Sequence, residues 1–288
     1  MLSRNEGKTG QELIQASINA LVKALEAGQS DALTSYLKAM GRFHDYSLNN
    51  ILLIAAQKPT ATRVAGLRTW NTLGRRVKRG EKGILIFAPL IGRKRTDEST
   101  ERQLLGFRGV YVFDVSQTNG DPLPELNDTI EGDVSEILPR LIDFVASQQI
   151  KLEYSNQITP ARGISCGGSI RLLPDMSPTE TLSTLIHELA HEMLHKAERR
   201  TTTTKAVKGT EAEAVAFVVC HALGLQTGTG SADYIQLYHG DAKLLQESLG
   251  MVQQAVAQIL EGISPKEEEI SAPIIATVNQ AAVQEARQ

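Results

Sequence analysis

Cysteine is almost missing from this chain: Cys166 and Cys220 are the only two among 288 residues. That is too few for a disulfide framework, and they form no Cys-x-x-Cys pair. Both read as small, reduced core residues. No stretch reaches the ~18 apolar residues a membrane span requires, and the first 17 residues lack the apolar centre of a secretory leader. The chain therefore reads as cytoplasmic, without a membrane partner. No internal repeat is visible. Acidic residues are scarce in one place above all. Between Arg63 and Arg95 ten basic residues are opposed by Glu81 alone, so the segment carries +9, and a net charge of −3 leaves −12 for the remainder. A basic block in a slightly acidic protein is the electrostatic footprint expected for a polyanion.

What is present is ordinary for a globular protein, with 41% hydrophobic and 22% charged residues. The length suggests about two domains of ~150 residues. Apolar positions three and four apart in residues 10–27 (Leu13, Ile14, Ile18, Leu21, Val22, Leu25) predict an amphipathic helix. Further helices are expected over Ala32–Met40 and Leu48–Ala56, the latter ended by Lys58-Pro59. The pattern then changes to apolar runs of strand type at Gly83–Pro89 and Phe107–Val115, with the charged Gly92–Arg102 read as a hairpin-like excursion. Gln117–Asn127 is dense in turn residues and marks a linker. Beyond it a helix is expected near Val134–Gln148, a short strand near Lys151–Tyr154, a turn-like Ser165–Ser169 before an apolar Ile170–Leu173, and a helix opened by Ser177-Pro178-Thr179-Glu180. There Ser177 serves as N-cap, Pro178 as first helical residue and Glu180 as the partner in a capping box. Helices from Thr210 to Leu223 and over Asp241–Glu261 complete the reading. The fold class is α+β in two domains: residues 8–118, a linker at 119–132, a second domain at 133–262, and a tail at 263–288.

The chemistry concentrates in His187-Glu188-Leu189-Ala190-His191. Residues four apart share a helix face, so His187 and His191 can direct two imidazoles at one ion. Glu188 lies beside that ion and can take a proton from metal-bound water. Chance occurrence of the pattern in a chain this long is about 1 in 100. A third ligand is expected from the next helix, where Glu211 and Glu213 are both candidates. Two residues apart, they point ~200° from each other and cannot both face one ion. Glu213 shares a face with Ala216, Phe217 and Cys220, read as the buried side, and is preferred; Glu211 becomes a carboxylate left to solvent or placed behind the ligands. His195 is about 12 Å from His187 along the axis and cannot share the ion with it. It reads as a partly exposed polar residue or a partner behind the ligands. The donor set suits Zn2+, with Mn2+ or another divalent ion possible. Metal-assisted hydrolysis follows, with Glu188 as general base; Tyr234 or Tyr238 is a candidate for stabilising an oxyanion, against a packing role.

In the basic segment, Arg68, Trp70, Arg75, Arg76, Lys78, Arg79 and Lys82 are the candidate nucleic-acid contacts. Phe87, Phe107, Tyr111 and Phe113 lie on the neighbouring strands. Aromatic rings beside a basic groove can stack bases while Lys and Arg track phosphates. Tyr111 and Phe113 share a strand face that suits stacking or a hydrophobic core, and Trp70 can equally staple a helix to the sheet. No helix-turn-helix or zinc finger is visible, so sequence-tolerant binding of single-stranded DNA fits better than duplex readout.

The strings Phe43-His44-Asp45-Tyr46-Ser47-Leu48-Asn49-Asn50, Gln57-Lys58-Pro59-Thr60-Ala61-Thr62, Thr69-Trp70 and Leu73 to Ile84 closely resemble the N-terminal domain of ArdC antirestriction proteins. The second half, with His187–His191 and Glu213–Phe217, resembles that family's zincin-like metallopeptidase domain and the ImmA/IrrE peptidases. The resemblance spans roughly residues 8–260. It implies a single-stranded-DNA-binding domain joined to a metallopeptidase-like domain, a glutamate ligand where Glu213 stands, carriage on plasmids or other mobile elements, and protection of incoming DNA from restriction. The competing expectation is a regulatory metalloprotease that cleaves a repressor or other protein partner, with the basic domain only localising it to DNA. A third is an interaction module whose metal only stabilises the fold.

Overall fold

A computed structural model describes residues 10–27, 30–95, 100–123, 134–225 and 242–265. The chain clusters into two compact units. Among the described residues, one comprises 10–18 and 49–123, the other 19–48 and 134–265. Residues 19–48 thus cluster with the second half of the chain, whereas the boundaries drawn from sequence placed them with the first. Tyr234, Tyr238, His239, the tail from 266, and residues 124–132 of the expected linker lie outside the described residues. Among those described, no helix is long and apolar enough to cross a membrane.

The expected mixture of helix and sheet is present. In the first unit, α1 (Gly10–Glu26) contributes its start, followed by α3 (Leu48–Gln57), β1 (Val64–Ala65), α4 (Leu67–Thr72), β2 (Arg75–Val77), β3 (Ile84–Arg95), β4 (Thr100–Asp114) and β5 (Thr118–Gly120). β1, β4 and β3 form an antiparallel sheet in that order, and β2 pairs with β5. The described parts of the charged stretch read as a hairpin-like excursion are paired as antiparallel ladder, which runs from Ile84↔Val112 to Arg95↔Thr100 with one register shift at Leu90/Ile91. Pairing within a hairpin supplies the backbone hydrogen bonds that charged side chains leave undisturbed.

β3 is an edge strand, and α3 covers its exposed backbone. The Asn50 amide donates to Phe87 O and accepts from Phe87 N, both at 2.8 Å. Gln57 does the same for Leu85, at 2.9 and 3.0 Å. Two side-chain amides therefore stand in for a missing strand and block the edge from further pairing. Asp114, 1% exposed, accepts from Thr62 N at 2.7 Å and from Arg63 N and Ser116 N at 3.0 Å. Burial alone would raise its pKa; the Ser116 hydroxyl and these backbone donors outweigh that and hold it below the usual carboxylate range. The core here gathers Ile51, Leu52, Leu53, Ile54, Ile84, Ile86, Val112 and Trp70.

The second unit contains the end of α1 and α2 (Ser30–Arg42), then α5 (Val134–Ser147), β6 (Lys151–Tyr154), β7 (Gly163–Ser165), β8 (Ser169–Leu172), α6 (Pro178–Leu194), α7 (Ala197–Thr202), α8 (Lys205–Ala222) and α9 (Ala242–Ile263). β8 is central, parallel to β6 and antiparallel to the edge strand β7. α6 starts where its capping box predicts: Ser177 Oγ accepts from Glu180 N at 3.3 Å, and Ser177 N donates back to the Glu180 carboxylate at 3.2 Å. Its apolar face, Leu182, Leu185, Ile186 and Leu189, is fully buried, each side chain stabilising the fold by about 1.5–3 kcal/mol. That packing fixes the rotation of α6, and with it the direction in which His187, Glu188 and His191 project.

Candidate metal centre

His187 and His191 occupy the same side of α6, one turn apart, with ring centroids 4.9 Å apart and planes at 81°. From α8, the Glu213 carboxylate approaches His187 Nδ1 at 3.3 Å. That hydrogen bond is the main reason its pKa is lowered, partial burial opposing. Among the described residues no three His, Cys, Asp or Glu side chains converge on a single point. The donor set nonetheless fits a divalent ion: two imidazoles and a carboxylate, drawn from two packed helices. Burial first, then the neighbouring imidazoles of His187 and His195 with Arg200 and Lys208, push the His191 pKa down to about 4. At neutral pH this ring is uncharged, the form a metal ligand requires.

His187, Glu188 and Glu213 line a cleft of about 500 Å³ with Arg162, Gly163, Thr184 and Phe217. Glu188 is 8% exposed, and burial raises its pKa above the usual carboxylate value, against the pull of His187 and a hydrogen bond from the Ser165 backbone. A buried carboxylate with a raised pKa is better matched to taking up a proton near neutrality. Gly163 on β7 makes that position attainable. A Cβ there would stand 2.7 Å from Glu188 Cγ and from Thr184 Cγ2.

Glu211 and Glu213 do diverge, but burial falls the other way from the expected facing. Glu213 is half-exposed in the cleft, while Glu211 is fully buried. The reason is a polar cluster behind α6: Glu211 accepts from Arg199 Nη2 at 2.8 and 2.9 Å and from Ser248 Oγ at 2.8 Å, and sits 2.9 Å from His195 Nε2. Burial would raise its pKa, but these partners hold it low. His195 is not partly exposed; at 1% exposure it lies between Glu211 and His191. Neither Glu192 nor Arg200 was singled out from sequence. Glu192 is buried one residue past His191, accepts from Gly167 N and Gly168 N at 2.7 Å and from the Ser165 hydroxyl, and lies 3.6 Å from Arg200. It ties the β7–β8 turn to α6. The glycine pair Gly167-Gly168, both at positive φ, is the signal that could have suggested such a carboxylate-binding turn. Cys220 is buried beneath Glu213, and burial pushes its thiol up to about 12, so it stays an inert core thiol.

The candidate DNA contacts separate into two groups. Arg68, Arg76, Lys78, Arg79 and Lys82 are exposed. Arg75 is half-buried and braces β5, donating to Thr118 Oγ1 at 2.9 Å and to the backbone carbonyl of Asp121. Trp70 corrects the expectation directly. It is 0% exposed, with its ring N–H donated to Phe113 O at 2.9 Å, so neither ring face is open to a base. The open rings are Tyr111, 64% exposed, and Phe107, 66% exposed, on one face of β4, whereas Phe113 is half-buried.

Residues 11–113 match the family described as the N-terminal domain of anti-restriction factor ArdC. An uncharacterized protein of Bacillus anthracis is 25% identical over 80% of this chain and 47% of its own length, so the chain spans about half of that relative. The metal-free crystal structure of the antirestriction protein ArdC from plasmid R388 aligns at a TM-score of 0.52 and 20% identity, over 88% of this chain and 98% of its own. The Mn(II)-bound structure of the same protein aligns at 0.47 over 80% of this chain. At such identity the likeness is one of fold. On this match, residues 11–113 belong to the family of ArdC N-terminal domains.

Proposed function

We propose that this protein shields incoming DNA from restriction, holding single-stranded DNA on its first unit and carrying a hydrolytic divalent-metal site on its second. The family of residues 11–113 supports the antirestriction role. The observation that carries the hydrolytic reading is Glu188, buried with a raised pKa in a cleft shared with His187 and Glu213.

In this reading His187, His191 and Glu213 hold the ion, Zn2+ fitting the donor set best. When bound, such an ion lowers the pKa of a water toward ~7 and polarises a carbonyl. Glu188 receives the proton at its carboxylate and returns it to the leaving group. Ser165 N–H fixes one side of that carboxylate. The packing of Gly163 against Glu188 Cγ leaves the carboxylate little room to swing away. Arg162, at the cleft wall and 65% exposed in its ion pair with Glu180, supplies positive charge where a substrate enters. An amide or peptide bond is the substrate class suited to this set. The domain division drawn from sequence, with a zincin-like second half, belongs to the same proposal, as does residence on a plasmid or other mobile element.

On the first unit, Arg68, Arg76, Lys78, Arg79 and Lys82 would track phosphates, while Tyr111 and Phe107 offer rings to bases. The test is a protection assay: delivery of unmodified DNA into a restricting host carrying wild type, Glu188→Gln, or Arg76, Lys78, Arg79 and Lys82 reversed to Glu. Loss of protection in the charge-reversed protein supports DNA binding as essential. Full protection by Glu188→Gln would remove hydrolysis from the function. Protection lost in Glu188→Gln, with DNA binding intact, favours cleavage of a protein partner such as a restriction component or repressor.

A further inference from the structure

The buried cluster behind α6 uses side chains that the hydrolytic reading leaves unassigned. His195 follows the last turn of α6, and its Nδ1 lies 3.1 Å from His191 Nδ1. Its other nitrogen, Nε2, lies 2.9 Å from Glu211 Oε2. Arg199 donates to both oxygens of Glu211, and Ser248 Oγ donates to Oε1 at 2.8 Å. A guanidinium has only donors to offer, and Glu211 answers it as an acceptor.

We propose that His195 and Glu211 are positioning residues that fix the tautomer of His191, leaving His191 Nε2 as the bare nitrogen available to a metal. The inference rests on the reading of His191 as a ligand. The proton placement follows from the donor and acceptor inventory. Glu211 accepts, so His195 Nε2 carries a proton. An imidazole that carries its single proton at Nε2 presents a bare Nδ1 as acceptor. Two facing Nδ1 atoms at 3.1 Å form a hydrogen bond only when one of them donates. That donor is His191 Nδ1, and a neutral ring with its proton there has a lone pair at Nε2. The chain of donors runs from His191 to His195 to Glu211, and Arg199 closes it from the other side. Metal-binding histidines commonly depend on such a partner at the second ring nitrogen. The relay also gives a physical reason for two glutamates two residues apart on α8. Glu211 turns inward to orient a ligand, and Glu213 turns to the cleft.

The experiment is a long-range proton–nitrogen spectrum of the metal-free full chain, labelled with nitrogen-15, near neutral pH. The expected result is Nδ1–H on His191 and Nε2–H on His195. A proton on His191 Nε2 or on His195 Nδ1 overturns the proposal. In parallel, Zn2+ affinity is measured by chelator competition for wild type and Glu211→Gln. The amide can donate toward His195, which permits the reversed chain, so affinity is expected to fall about 10–100-fold. An unchanged affinity in a folded Glu211→Gln protein also overturns the proposal. Should that variant fail to fold, the wild-type spectrum alone decides. A wild type that shows both tautomers but binds no Zn2+ contradicts the metal reading and supports the relay.

Discussion

Replacing Tyr111 and Phe107 by alanine separates recognition from folding. Each ring is about two-thirds exposed. Only about a third of its surface is packed, so truncation costs the fold roughly 1–1.5 kcal/mol per ring. Stacking of a base on an aromatic ring contributes about 1–3 kcal/mol, which corresponds to about 5–150-fold in Kd. The double variant should therefore bind a labelled single strand at least about 25-fold more weakly while staying folded, with a melting point about 4–12 °C lower. Fluorescence anisotropy across a salt series reads a second signature. Removing the rings leaves the number of released counterions unchanged, so log Kd against log salt keeps its slope. Reversing Arg76, Lys78, Arg79 and Lys82 should flatten that slope by ~0.7 for each phosphate no longer neutralised. Trp70 is the control. Its truncation removes a fully buried side chain and should cost about 3–5 kcal/mol of stability. Unchanged affinity in the double variant would refute the stacking surface.

Three further outcomes follow from the packing. Gly163→Ala places a methyl 2.7 Å from Glu188 Cγ and Thr184 Cγ2; the strain should cost about 1–3 kcal/mol in a urea melt, and a melt identical to wild type would contradict the close approach. Asn50→Ala leaves Phe87 N–H and C=O without their amide partner. The expected loss is ~2–4 kcal/mol, with faster hydrogen exchange at the Phe87 amide; retained protection would show that β3 does not need the cover. The third concerns acid. A folded His191 pKa of about 4, below the unfolded ~6.5, means the unfolded chain binds more protons between those values. Stability of the metal-free protein should therefore fall as pH drops through that window, by about 1 kcal/mol per unit after allowance for its partial exposure. The effect should be absent from His191→Gln, and an equal pH slope in the two proteins would contradict it.

Where local chemistry dominates, the sequence was readable. α6 announces itself through Ser177, Pro178 and Glu180, and α1, α3 and α5 through apolar spacing. The short elements β2, β5, β7, α4 and α7 carry too few residues for a period to show and exist through their partners. The length of β3 and β4 was hidden because charged residues mask strand propensity until the hairpin pairs them. At the candidate site, H-E-x-x-H was plain, but a burial guess for α8 depended on neighbours that the pattern of α8 alone does not contain. Glu211 is buried because Arg199 and Ser248 come from other helices. Trp70 sits among arginines in sequence yet is fully buried, its ring N–H donated to Phe113 O. The resemblance marked Asn50 and Gln57, whose work in covering β3 spacing could not reveal.

The most direct test of the metal centre is metal stoichiometry by mass spectrometry on the purified wild type, Glu188→Gln and Glu213→Ala proteins after equilibration with Zn2+ and gel filtration. About one equivalent in wild type and Glu188→Gln, with most of it lost in Glu213→Ala, is the predicted result for a three-ligand site. No metal in the wild type, or equal metal in all three, would contradict the assignment of His187, His191 and Glu213 as its ligands.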